Sequence, residues 1–165
     1  MSAAPTLRAR LHAHLGSGQV ARVVYGSIIG LALVVALEAH PPATRSVIVS
    51  LLGTAVAVAL AELYSDWLDA RARRQEGHGR IMVEHAVAAA LGIAFPAVFF
   101  VLSAAGVMKQ QTAFDIAEWT GLGLIAFYGY CASRLAGSSQ PTSLLHGLGA
   151  GAVGAALIVL KALIH

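Results

Sequence analysis

Five apolar runs, each long enough to cross a bilayer as a helix, constrain this chain more than any other feature. They extend from about Val20 to Leu37, Val47 to Leu68, Ile81 to Met108, Phe114 to Leu135 and Leu144 to Ile164. A transmembrane helix needs about 20 predominantly apolar residues. Lipid leaves no partner for an unpaired backbone group, so only helices and closed barrels cross it. The alternating pattern of a barrel strand is absent from these runs. The expected fold is therefore all-α, a polytopic transmembrane helical bundle of five spans. Composition agrees: of 165 residues, 58% are hydrophobic and 12% charged, against about 25% charged in an average soluble domain. Disorder is excluded by the same numbers.

The breaks between runs are chemically distinct. Pro41-Pro42 stops the first, because proline cannot continue a helix. Arg71-Ala72-Arg73-Arg74 ends the second, Pro96 predicts a kink in the third, and Ser138-Ser139-Gln140-Pro141 closes the fourth. Residues 1–19 form a short N-terminal segment. In it Leu7, Leu11 and Leu15 recur beside Arg8, Arg10, His12 and His14, consistent with an interfacial helix. Residues 20–165 form the transmembrane domain. No small-x-small cleavage site follows the first run, which reads as an uncleaved span rather than a secretory signal.

Lys and Arg counts in short loops set orientation. Arg8, Arg10, Arg22, Arg71, Arg73, Arg74, Arg80 and Arg134 fall on one side, eight of the eleven basic residues, and Arg45, Lys109 and Lys161 on the other. This places the N-terminus in the cytoplasm. A four-span arrangement would need one run to be re-entrant. The expected location is the cell membrane, the bacterial inner or plasma membrane being favoured. The net charge of +3 is thus topological. No basic stripe with interleaved aromatics suggests nucleic acid. Cys131 is the only cysteine, so neither an internal disulfide nor a cysteine zinc site can form.

Small residues mark close helix packing. Gly26-Ser27-Ile28-Ile29-Gly30 and Gly147-Leu148-Gly149-Ala150-Gly151 are small-xxx-small patterns. Either could be an intramolecular seam or the interface of a homo-oligomer, intramolecular packing being the favoured use.

Charges inside a bilayer are costly and mark function. Glu62, Asp66 and Asp69, spaced by four and three, line one helix face, with Glu62 roughly 7–8 Å inside the span end at 1.5 Å per residue. Glu84 and His85 begin the third run on the same side. Glu62, Asp66, Glu84 and His85 are the candidate metal ligands, since oxygen-rich clusters suit hard and first-row divalent cations. His146, Tyr128, Tyr130 and Ser133 fall at similar depth. Asp66 and Asp69 read equally as solvated residues beyond the membrane, and Glu84 as a first-turn acid favoured by the helix dipole. Glu38, His40, Asp115 and Glu118 lie at span ends near water. Trp67 and Trp119 suit headgroup anchoring. No Walker loop, G-x-S-x-G or H-E-x-x-H occurs, so the chain reads as a non-enzyme.

Gly53-Thr54-Ala55-Val56-Ala57-Val58-Ala59-Leu60-Ala61-Glu62-Leu63-Tyr64-Ser65 resembles the small-residue second span, ending in a Gly-Glu-Tyr-like motif, of the vacuolar-iron-transporter-like family of divalent-metal/proton exchangers. The resemblance implies a dimer, with Glu62 on the ion path and Fe²⁺ or Mn²⁺ as substrate. The family's first span begins near an aspartate, where this chain reads Val24-Tyr25-Gly26-Ser27, and its cytoplasmic metal-binding insert is replaced by Ala70 to Arg80. The sequence therefore leads to a membrane protein that transports or conducts a cation, divalent metal or proton. The alternatives are a non-transporting scaffold or accessory subunit, or an oligomeric ion channel.

Overall fold

The computed structural model describes residues 19–73 and 79–164. Among them every regular element is a helix: α1 (Gln19–Ala39), α2 (Thr44–Ala72), α3 (Gly79–Ala94), α4 (Ala97–Ala104), α5 (Gln110–Leu135) and α6 (Gln140–Ile164). The N-terminal segment, Arg74, His78 and His165 lie outside the described residues.

Helices α1 and α2 are each long and apolar enough to cross a membrane, by length and composition. Helices α3 and α4 meet at a bend of 46° and make a third crossing if counted as one broken span. The bend falls at Pro96, whose ring and missing N–H interrupt the ladder as expected. Two of the later breaks are glycine-terminated. Gly106 and Gly137 have φ of 79° and 82°, and Val107 N–H and Ser138 N–H donate back to Leu102 and Ser133 carbonyls at 3.0 and 3.2 Å. These are Schellman ends, which a left-handed glycine allows. At the start of α6 the Ser139 hydroxyl caps the helix by accepting from Thr142 N–H at 3.4 Å, as an N-cap serine does.

Helix α1 is the centre of the bundle, packed against α3, α5 and α6, with α2 outside against α3 and α4. Both glycine patterns turn inward. A Cβ on Gly26 would strike the Ala89 carbonyl, and one on Gly92 would lie 2.5 Å from the Val23 carbonyl oxygen. The α1–α3 seam therefore requires glycine on both sides. Gly147 and Gly151 meet Ala126 and Tyr130 of α5 in the same way. Small residues let backbones approach closely where lipid supplies no hydrophobic drive.

The larger core lies toward the Pro41-Pro42 end. Val34, Val47, Leu51, Ala97, Phe100, Ala113, Phe114 and Ala117 are buried together, and Phe100 meets Phe114 edge to face with centroids 4.7 Å apart. Gln110 clasps this end: its amide donates to the Pro42 carbonyl at 2.7 Å and its oxygen accepts from the Thr44 hydroxyl at 3.1 Å. A smaller core of Leu31, Val35 and Ile125 joins α1, α5 and α6. The opposite end of the bundle holds the acidic stripe of α2.

Candidate functional site

Three helix ends converge there: the start of α1, the end of α2 and the start of α3. The acidic stripe of α2 is brought against Arg22, which lies in the first turn of α1 rather than in a solvated N-terminal segment. Arg22 donates a direct ion-paired hydrogen bond to Glu62 and places a second terminal nitrogen 3.5 Å from an Asp66 oxygen. The other Asp66 oxygen is 3.1 Å from His85 Nδ1 on α3. Asp66 thus bridges Arg22 and His85, and the network ties α1, α2 and α3 together.

Burial grades across it. The side chain of Glu62 is 10% exposed, that of Asp66 20% and that of Arg22 33%. A carboxylate this deep is tolerable only when paired, and the guanidinium offers a planar fork of donors for two acceptors. With a neutral imidazole the four groups carry one uncompensated negative charge. With a protonated imidazole they balance.

The remaining candidates lie elsewhere. Asp69, on the stripe but one turn further out, accepts from Arg73 at 2.9 Å on the exposed surface. Glu84 accepts from Arg80 at 2.9 Å. It lines the mouth of a groove of about 440 Å³ with Val23, Val87, Leu124 and Tyr128. His146 sits over α5, its Nδ1 3.3 Å from the Ser133 hydroxyl and 2.8 Å from the carbonyl of Thr142. Of the four expected ligands, Glu62, Asp66 and His85 are brought together and Glu84 is not. Among the described residues, no group of three or more His, Cys, Asp or Glu is arranged to hold a metal ion.

Arg22 is the participant that sequence reasoning misses, because a count of loop charges treats it only as a topological signal. The signal that could have found it is position: an arginine at the start of one span and an acid near the end of the next occupy the same membrane face. Comparison with protein-family models, curated proteins and solved structures finds no match to this chain.

Proposed function

We propose that this chain is a five-span membrane protein, N-terminus cytoplasmic, that handles a cation at the Arg22–Glu62–Asp66–His85 network, and that the cation is the proton. Helices α1, α2 and the broken α3–α4 pair are long and apolar enough for up to three crossings; α5 and α6 have the length alone, 26 and 25 residues, and complete the five of this reading. The excess of basic residues at the network end supports the orientation.

One observation carries the functional reading: a buried carboxylate, Glu62, and a part-buried one, Asp66, share a single permanent cation, and the third group on Asp66 is an imidazole. Histidine is the side chain suited to exchanging a proton in the physiological range, and carboxylate–histidine chains in membranes mark proton paths. The test is proton flux in liposomes loaded with a pH-sensitive dye. Glu62→Gln and His85→Asn are expected to lower flux at least tenfold. Flux equal to wild type in both would sink the reading. Fe²⁺ and Mn²⁺ are added in parallel, because the span-two resemblance implies them as substrates. Metal flux that depends on Glu62 would replace the proton by a divalent ion.

A scaffold role is the second reading, favoured by the bonds that lock three helices through the same groups. In that case Glu62→Gln changes unfolding and leaves every flux unchanged.

A further inference from the structure

Helices α2 and α3 diverge to leave an open groove of about 510 Å³ on the outside of the bundle. Its floor is alanine: Ala55 and Ala59 from α2, Ala86, Ala90 and Ala94 from α3. Its walls include Leu52, Leu60, Val83 and Leu91. It runs from Leu52 to Leu63 on one helix and from Val83 to Ala94 on the other, about 16 Å at 1.5 Å per residue. That is about half the length of a hydrocarbon core about 30 Å thick. Its network-end mouth lies at Leu63 and Val83.

The same helix faces continue past that mouth with a different chemistry. Four residues beyond Leu63 is Trp67, half-exposed and stacked with Tyr64, its ring centroid 6.0 Å from the tyrosine's. Four further is Arg71, whose guanidinium lies 5.2 Å from the Trp67 ring centroid. Three residues before Val83, on α3, is Arg80, with a side chain 91% exposed whose Nε pairs with Glu84 at 2.9 Å and whose terminal nitrogens make no further ion pair among the described residues. The apolar channel therefore ends between a tryptophan–arginine pair and a second arginine. Tryptophan settles at the headgroup level, and arginine recognises phosphate through paired N–H donors.

We propose that the α2–α3 groove is a binding site for one anionic phospholipid, an acyl chain lying on the alanine floor and the phosphate held by Arg71 and Arg80. A helix from a second copy in the same orientation is the poorer occupant, because its own Arg71, Arg73 and Arg80 make that end as basic as the mouth itself. This site stands apart from cation handling and needs only that α2 and α3 lie in the membrane.

The test uses Trp67 as its own reporter. In the Trp119→Phe protein, reconstituted in nanodiscs, Trp67 fluorescence is quenched by phosphatidylglycerol or by phosphatidylcholine carrying brominated chains. The expected preference for the anionic lipid is about five-fold per arginine, the worth of one basic residue at an anionic surface. It is lost in Arg71→Gln/Arg80→Gln and kept in Arg71→Lys/Arg80→Lys, which controls for folding. Ala90→Phe, which fills the floor, lowers quenching by both lipids. Equal quenching by the two lipids, or a preference that survives the double glutamine variant, overturns the proposal. So does a groove closed to both lipids in a protein that crosslinks as a dimer through α2.

Discussion

Replacing Gly92 by alanine tests the packing logic of the bundle with a single methyl group. The added Cβ would lie 2.5 Å from the Val23 carbonyl oxygen and 2.7 Å from the Ser27 backbone nitrogen. Both obstacles are backbone, so no side chain can swing away. Ordinary contact begins near 3.4 Å, and α1 and α3 must therefore separate by about 0.9 Å, a gap that forfeits a quarter to a half of each dispersion contact. Over roughly forty atom pairs at about 0.15 kcal/mol, the seam loses about 2 kcal/mol, within the range of about 1–3 kcal/mol for overpacked cores. Gly53 provides the opposite case. A Cβ added there, on the bare face of α2, would meet nothing within 4 Å, and alanine gains up to about 1 kcal/mol of helix propensity. Unfolding by sodium dodecyl sulfate in mixed micelles, followed by circular dichroism, measures both. Equal stability of Gly92→Ala and wild type, or a loss in Gly53→Ala as large as that in Gly92→Ala, would refute the seam.

Other perturbations separate the roles of individual groups. Arg22→Gln leaves Glu62 buried without its cation and is expected to cost about 3 kcal/mol, the low end for stripping one partner from a buried pair, since Arg22 keeps some access to water. The same micelle titration reads it. Gln110→Ala removes the clasp on Pro42 and Thr44 and should cost about 1 kcal/mol. His146→Asn, remote from the network, is expected to leave proton flux at the wild-type rate, while His85→Asn reduces it. A flux loss in His146→Asn would move the site to the α5–α6 pair.

Much of the bundle is legible in the sequence because its rules are local. The Pro41-Pro42 stop and the Pro96 break follow from backbone chemistry, and Gly26, Gly30, Gly147 and Gly151 announce close approach before any partner is known. The site is legible only in part. Glu62 stands out by depth, and Asp66 follows on its face one turn later. Glu84 and His85 fall together in the sequence, yet neighbouring residues on a helix point about 100° apart, so only one of the two can meet α2. Which one it is depends on how α3 rotates against α1, and that rotation is set by Gly92 and Ala89 rather than by the acids. A counting rule hides Arg22: the same charge that orients a span also finds a buried partner once its helix begins at Gln19.

Polar side chains clasp both ends of the bundle. At the Pro41-Pro42 end the clasp uses amides, Gln110 on Pro42 and Thr44 and Gln111 on the Glu38 carboxylate at 2.5 Å. At the other end the clasp is ionic and holds α2, which has 17% of its apolar window inside the bundle against 39% for α1. If the Arg22–Glu62 pair served only to hold α2, an apolar pair of similar volume would do as well, because exchanging a buried ion pair for packed hydrophobic groups is often neutral. Arg22→Met/Glu62→Leu is that exchange. The expected result is unfolding within about 1 kcal/mol of wild type together with proton flux reduced as far as in Glu62→Gln. Wild-type flux in this stable double variant would reduce the pair to a strut and leave Asp66 and His85 without a proton path through Glu62.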